Sequence, residues 1–181
     1  PIFSFSKPLY NLKIGKGILA LSKKINLFNK IIYPEEKIGM PVSFYPSKLA
    51  NSLAKILFFQ IDKIEKFNLH RREIAHFYND NLNNKKIIKP VWDDNSVWLR
   101  YTILNNSDIS IHNFAKKQGI ILGDWYNSPV APKDIDINKT GYKTGQCPKA
   151  EELSIKSINL PTDIHIKKGD AQKIVEIINK L

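Results

Sequence analysis

The chain has 181 residues, 28 basic and 17 acidic side chains, a formal net charge of +11 and 43% hydrophobic residues, which is enough for one packed core and short for two full domains. No segment reaches the ~20 apolar residues of a membrane helix, and no basic-then-apolar secretion signal is visible. The one cysteine, Cys147, excludes an internal disulfide and a structural zinc site built on paired thiolates, so a reduced, cytoplasmic setting is expected.

In chain order, residues 3–6 and 17–21 are short apolar stretches separated by Pro8, Gly15 and Gly17, and they read as two strands of a hairpin. Residues 22–45, broken by Pro34, Gly39 and Pro41, read as a connector. Pro46 and Ser47 then open the strongest helical signal, with Ser47 placed as its cap. Leu49, Leu53, Ile56, Leu57, Ile61 and Ile64 follow at three- and four-residue spacing, and Phe67, Ile74, Tyr78 and Leu82 continue the stripe. The pattern predicts one helix over about 47–82, longer than an ordinary globular helix and suited to bridging two parts of a larger molecule.

Beyond it, residues 97–104 (VWLRYTIL) read as a strand by their β-branched and aromatic content. A helix over 111–118 ends at Gly119, and 120–122 reads as another strand. A helix over 149–154, a strand over 158–160 and an amphipathic helix over 169–181 complete the chain. Strands alternating with helices after residue 90 predict a small α/β or α+β domain. Between them, residues 123–148 carry Gly123, Pro129, Pro132, Gly141, Gly145 and Pro148 together with Trp125, Tyr126 and Tyr142. So long a loop is uncommon in a compact domain, and its aromatics fit either a binding lid or anchors to the core.

The charge is lysine charge: 25 of the 28 basic residues are lysine, and only Arg71, Arg72 and Arg100 are arginine. A nucleic-acid binder clusters its basic residues and uses arginine for bidentate contacts. Here the lysines are spread over the whole length, a solvated surface, so no nucleic-acid partner and no membrane partner is expected. Familiar catalytic patterns are absent. Gly15-Lys16-Gly17 is half of a phosphate loop and reads as a turn, His70 and His76 do not share a helix face, and Cys147 has no evident histidine partner. One group remains of interest, a lysine at a strand end. In a partly dry pocket Lys7 could lose its proton and form a Schiff base with an aldehyde cofactor.

Several segments, taken together and in order, resemble the DegT/DnrJ/StrS-type aminotransferases. They are YPSKLANSLA from Tyr45, QIDKI from Gln60, RREIAHFY from Arg71, WLRYTIL from Trp98, GIILGDWY from Gly119, CPKAEEL from Cys147 and NLPT from Asn159. The resemblance runs from about residue 39 to the end. It implies the C-terminal domain of a fold-type-I, pyridoxal-phosphate-dependent transferase over 44–181, preceded over 1–43 by the tail of the cofactor-binding large domain. In the N-terminal segment FSFSK, followed by GKGILA from Gly15, the family's cofactor lysine corresponds to Lys7, with Lys13 in reserve. Ser43 falls where the family places a residue that reaches the cofactor phosphate of the neighbouring subunit. Trp125 and Tyr126 fall on its substrate-facing loop.

The resemblance implies amino transfer, with glutamate as donor, to a keto group on a nucleotide-linked sugar, by a homodimer using pyridoxal 5'-phosphate. Sugar dehydratases occur among the same relatives, and fold alone does not fix the chemistry. The family's large domain supplies most of the groups that hold and tune the cofactor, and those groups are expected to be missing from these 181 residues. The chain is therefore expected to be a fragment, inactive alone. A non-catalytic scaffold of the same fold is the rival expectation.

Overall fold

The computed structural model describes residues 14–24, 32–131 and 134–181. Two compact units emerge, Pro1–Ser43 and Phe44–Leu181. In the first, helix α1 (Ile14–Lys24) replaces the strand expected over 17–21. Five apolar residues in a row fit a strand or a helix equally by periodicity, and here Leu19, Ala20 and Leu21 follow their helical propensity. The Ser22 hydroxyl donates back to the Ile18 carbonyl at 2.7 Å, as a helical serine can. The strand expected over 3–6 lies outside the described residues. A 3₁₀ turn over Glu36–Ile38 follows, closed by Gly39 in the left-handed region.

The second unit begins with the long helical signal, which forms two helices rather than one: α2 (Asn51–Ile61) and α3 (Ile64–Asn81). Between them the amide of Lys63 bonds the Gln60 carbonyl three residues back, and the four-residue ladder resumes where Phe67 bonds Lys63. Asp62, a weak helix former, sits at the break. The start also differs from expectation. Ala50 holds the cap position, and the Ser47 hydroxyl instead donates to the Phe44 carbonyl.

The apolar stripe is buried only in its second half. Ile74, Ala75 and Tyr78 of α3, with Leu82 just beyond it, pack into the core. By contrast Leu53, Ile56, Leu57, Phe58, Phe59 and Ile61 of α2 are all more than half exposed. No described helix is long and apolar enough to cross a membrane.

A three-stranded antiparallel sheet follows in the order β1 (Ile87–Ile88), β2 (Tyr101–Asn105), β3 (Ser157–Leu160). The register sets Ile87 opposite Asn105, Tyr101 opposite Leu160 and Ile103 opposite Ile158. Tyr101 and Ile103 are buried on one face of β2, while Thr102 and Leu104 face the other side half-buried, the alternation a pleated strand imposes. Helix α3 packs on the C-terminal helix α6 (Lys168–Asn179), which also meets α4 (Ile111–Lys117). Ala171, Ile174, Val175 and Ile178 of α6 are buried, as is Ile111 of α4. Each large side chain so buried contributes roughly 1.5–3 kcal/mol before entropy is counted. Ser110 caps α4 through its side chain, and α5 (Pro148–Lys156) begins on Pro148, whose missing amide costs nothing at a helix start.

Two expected strands are corrected. Residues 97–100 turn instead of extending, because Trp98 adopts a left-handed backbone with φ 53°. Residues 120–122 form no strand, and only Gly123 pairs, in a lone antiparallel bridge to Asn159.

Candidate functional site

The turn ahead of β2 is held by side chains from three places. Arg71 Nη1 donates to the Leu99 carbonyl at 3.1 Å and Arg72 Nε to the Ser96 carbonyl at 3.3 Å. The buried Thr162 hydroxyl donates to the Trp98 carbonyl at 2.8 Å, with the Leu99 carbonyl 3.0 Å away. Trp98 stacks on Trp92 at 4.9 Å between ring centres. These contacts over-determine a conformation that costs a non-glycine residue roughly 1–2 kcal/mol. Beside them the Tyr78 hydroxyl donates to the Pro161 carbonyl at 2.9 Å, and Tyr101 donates to Asn79 Oδ1 at 2.9 Å. Burial is the main cause that raises both phenols, Tyr101 to about 12 and Tyr78 beyond the ordinary tyrosine range.

The turn aims Arg100 and Thr102 at the sheet face opposite the core, where the 123–148 loop begins. Asn159, buried in β3, organises that junction. Its amide and carbonyl bond Gly123 at 3.2 and 3.0 Å, its Nδ2 donates to the Trp125 carbonyl at 2.8 Å, and its Oδ1 accepts from the Thr102 hydroxyl at 2.8 Å. His112 Nε2 lies 3.1 Å from the Gly123 carbonyl. A Cβ on Gly123 would lie 3.1 Å from Asn159 Cβ, 3.2 Å from its carbonyl oxygen and 3.3 Å from Arg100 Nη1, so a side chain there would push these neighbours back by a few tenths of an ångström. The Arg100 guanidinium sits 4.4 Å from the centre of the Trp125 ring. Tyr126 follows in the left-handed region at φ 62°, its ring 6.4 Å from that of Trp125. Both aromatic side chains are more than half exposed.

The far end of the loop is latched separately. Glu151 Oε1 accepts from the Tyr142 hydroxyl at 2.5 Å and from the Gly145 amide at 2.7 Å. The bonds from Tyr142 and Gly145 hold the Glu151 carboxyl below its usual range, and the bond to Glu151 pushes Tyr142 up to about 12.

Of the residues the sequence singles out, Trp125 and Tyr126 are brought together on this face. Lys7 and Lys13 lie outside the described residues, and Ser43 is exposed in the first unit. The second unit also carries two open grooves, one of about 540 Å³ between Gly119 and Lys173, the other of about 600 Å³ between Arg72 and Trp92. Neither is lined by Ser43, Trp125 or Tyr126. Among them no three His, Cys, Asp or Glu side chains are grouped to hold a metal ion. Sequence reasoning missed Arg100 and Asn159. The scarcity of arginine in so lysine-rich a chain was the available signal for the first, and NLPT, read only as a family word, contained the second.

A model of the DegT/DnrJ/EryC1/StrS aminotransferase family matches residues 23–179. The chain belongs to that family. A relative named "Pleiotropic regulatory protein" from Geobacillus stearothermophilus is 28% identical over 139 residues, which cover 74% of this chain and 37% of the relative. Among solved structures, DesV of S. venezuelae in complex with a ketimine intermediate superposes with a TM-score of 0.59 at 20% identity, over 69% of this chain and 34% of that one. A DegT DnrJ EryC1 StrS aminotransferase from Brucella abortus gives 0.57 at 23% identity, over 68% and 33%. The PLP-form of a putative sugar aminotransferase from Streptococcus pneumoniae gives 0.56 at 18%, over 68% and 33%. Identities this low show a common fold. The chain spans about a third of the length of these proteins.

In this chain three of the segments that carry the resemblance form a structural frame. Arg71, Arg72 and Tyr78 of RREIAHFY and Asn159, Pro161 and Thr162 of NLPT meet around the turn and strand of WLRYTIL. They fix the loop that carries Trp125 and Tyr126.

Proposed function

We propose that this chain is the C-terminal part of a pyridoxal-phosphate-dependent aminotransferase that moves an amino group from glutamate to the keto group of a nucleotide-linked sugar. The observation that carries the reading is the family match across residues 23–179. Helix α2 supports the partial-enzyme aspect: apolar residues on several of its sides are exposed in this unit, as expected of a helix buried in a larger molecule. The span of only about a third of the relatives' length agrees with it.

In this reading Pro1–Ser43 is the tail of the cofactor-binding domain and Phe44–Leu181 the domain that closes on substrate. Lys7 is the cofactor lysine, with Lys13 as its alternative, and Ser43 contacts cofactor phosphate across a homodimer interface. Trp125 and Tyr126 face the substrate.

The regulatory name of the Geobacillus stearothermophilus relative favours one other reading, a scaffold that retains the fold without the chemistry. The test is to incubate the full gene product carrying this chain with pyridoxal phosphate and glutamate, then assay 2-oxoglutarate. Release in proportion to protein is expected. A protein that binds both compounds and releases none would be the scaffold.

A further inference from the structure

We infer that helix α6 pairs with the same helix of a second copy of this chain, antiparallel and about a two-fold axis, through a face whose charges complement themselves. The inference concerns the surface of the second unit alone and does not rest on the aminotransferase reading.

Four charged residues follow one another along this helix with alternating sign: Asp170, Lys173, Glu176 and, at its C-cap, Lys180. Spacings of three, three and four residues keep them on one face, and all four are exposed. The same face forms one wall of the groove of about 540 Å³. Elsewhere in the chain such spacing closes ion pairs inside a helix: Glu152 of α5 meets both Lys149 and Lys156 at 2.9 Å. On α6 it does not. Asp170 accepts from the Lys167 amide at 3.0 Å and Glu176 from Gln172 at 2.9 Å, and none of the four is in an ion pair among the described residues.

The order of the signs decides which partner fits. With two copies of the helix parallel, Asp170 of one would face Asp170 of the other, and Lys173 would face Lys173. With the copies antiparallel, Lys173 faces Glu176 and Asp170 faces Lys180. The midpoint of 173 and 176 and that of 170 and 180 lie within the ~1.5 Å rise of a single residue. One two-fold axis therefore satisfies both pairs, each of them twice.

The groove supplies apolar surface for the same contact. Ile177 is half-buried on α6 between Lys173 and Lys180, and Ile121, across the groove, is 86% exposed. A helix laid along the groove by the second copy covers both. Exposed ion pairs add little affinity each and set the register, so the association is weak, specific and sensitive to salt. A two-fold contact closes on itself and produces one doubling of mass, not a filament.

The test is sedimentation equilibrium of the full gene product over a concentration series at low ionic strength. Wild type is expected to approach twice the mass of Lys173→Glu at the same concentration, and added salt should reduce the difference. Lys173→Glu and Glu176→Lys each turn two attractive contacts into like-charge contacts, and each should weaken association roughly tenfold or more. The double variant Lys173→Glu/Glu176→Lys should double in mass again. So should an equimolar mixture of the two single variants, in which every residue 173 can face a residue 176 of opposite sign. The two single variants change net charge in opposite directions, so an effect of net charge alone would separate them. Far-UV circular dichroism checks that each variant is folded. Equal masses for wild type and the single variants, a double variant that stays at their mass, or growth beyond one doubling would overturn the pairing.

Discussion

Asn159→Ala tests the frame most sharply, because one buried side chain joins β2, β3 and the loop. The substitution deletes a hydrogen bond to the Trp125 carbonyl and another from the Thr102 hydroxyl, each 2.8 Å long. Thr102 is half-buried, so its hydroxyl can turn to water and the loss there is near the net worth of one bond, about 1 kcal/mol. The Trp125 carbonyl loses its donor, which costs about 1–2 kcal/mol more. The sum, roughly 2–3 kcal/mol, corresponds to a fall of roughly 6–12 °C in Tm for a unit of this size. Urea unfolding followed by far-UV circular dichroism should show a lower midpoint at an unchanged slope. Thr102→Val should cost about 1 kcal/mol, and the double variant should fall short of the sum, because the two residues share a bond. A loss below about 0.5 kcal/mol for Asn159→Ala would refute the role given to Asn159.

Three further outcomes are expected. Gly123→Ala should destabilise the protein by about 1–3 kcal/mol, since the added methyl meets the Asn159 backbone and the Arg100 guanidinium at 3.2–3.3 Å, and the same urea unfolding measures it. Tyr78 and Tyr101 have folded-state pKa values raised above the unfolded value near 10, so their contribution is complete below about pH 10 and is lost as pH rises through the folded values, about 12 for Tyr101 and higher for Tyr78. The Tyr78→Phe/Tyr101→Phe variant should start less stable and lose less than wild type in an alkaline denaturation series. Glu151→Ala, which removes the acceptor for Tyr142 and Gly145, should speed chymotrypsin cleavage within 123–148 by roughly five- to tenfold, without a matching change in global unfolding.

The later part of the fold was legible because its residues serve several purposes at once. The spacing of Ile74, Tyr78 and Leu82 marks a core-facing helix, and each is buried. Ala171, Ile174, Val175 and Ile178 do the same for α6. The break at Asp62–Lys63 left no trace in the periodicity, since Ile61 and Ile64 keep helical spacing while the hydrogen-bond ladder between them changes. The apolar content of 17–21 could not separate helix from strand. Residues 120–122 have strand-forming side chains, yet a strand needs a partner along its length and only Gly123 finds one.

The site was legible in part. Trp125 and Tyr126 stand out in the sequence through their place in a long irregular loop and through the resemblance, and their rings lie near each other, exposed. Arg100 was hidden among many cations, because sequence does not reveal which cation stacks on a tryptophan. Asn159 was hidden because its work depends on contacts to residues 34 and 57 positions away.

The central claim, that the chain is part of a pyridoxal-phosphate enzyme anchored through Lys7, is tested most directly by one spectrum. The full gene product is mixed with pyridoxal phosphate, freed of excess and scanned in the visible range, as wild type and as Lys7→Ala. A protein-bound visible band that disappears in the variant is the predicted result. A band that survives would contradict the assignment of Lys7 and direct attention to Lys13 or another lysine, and a wild-type protein with no band would contradict the cofactor claim itself.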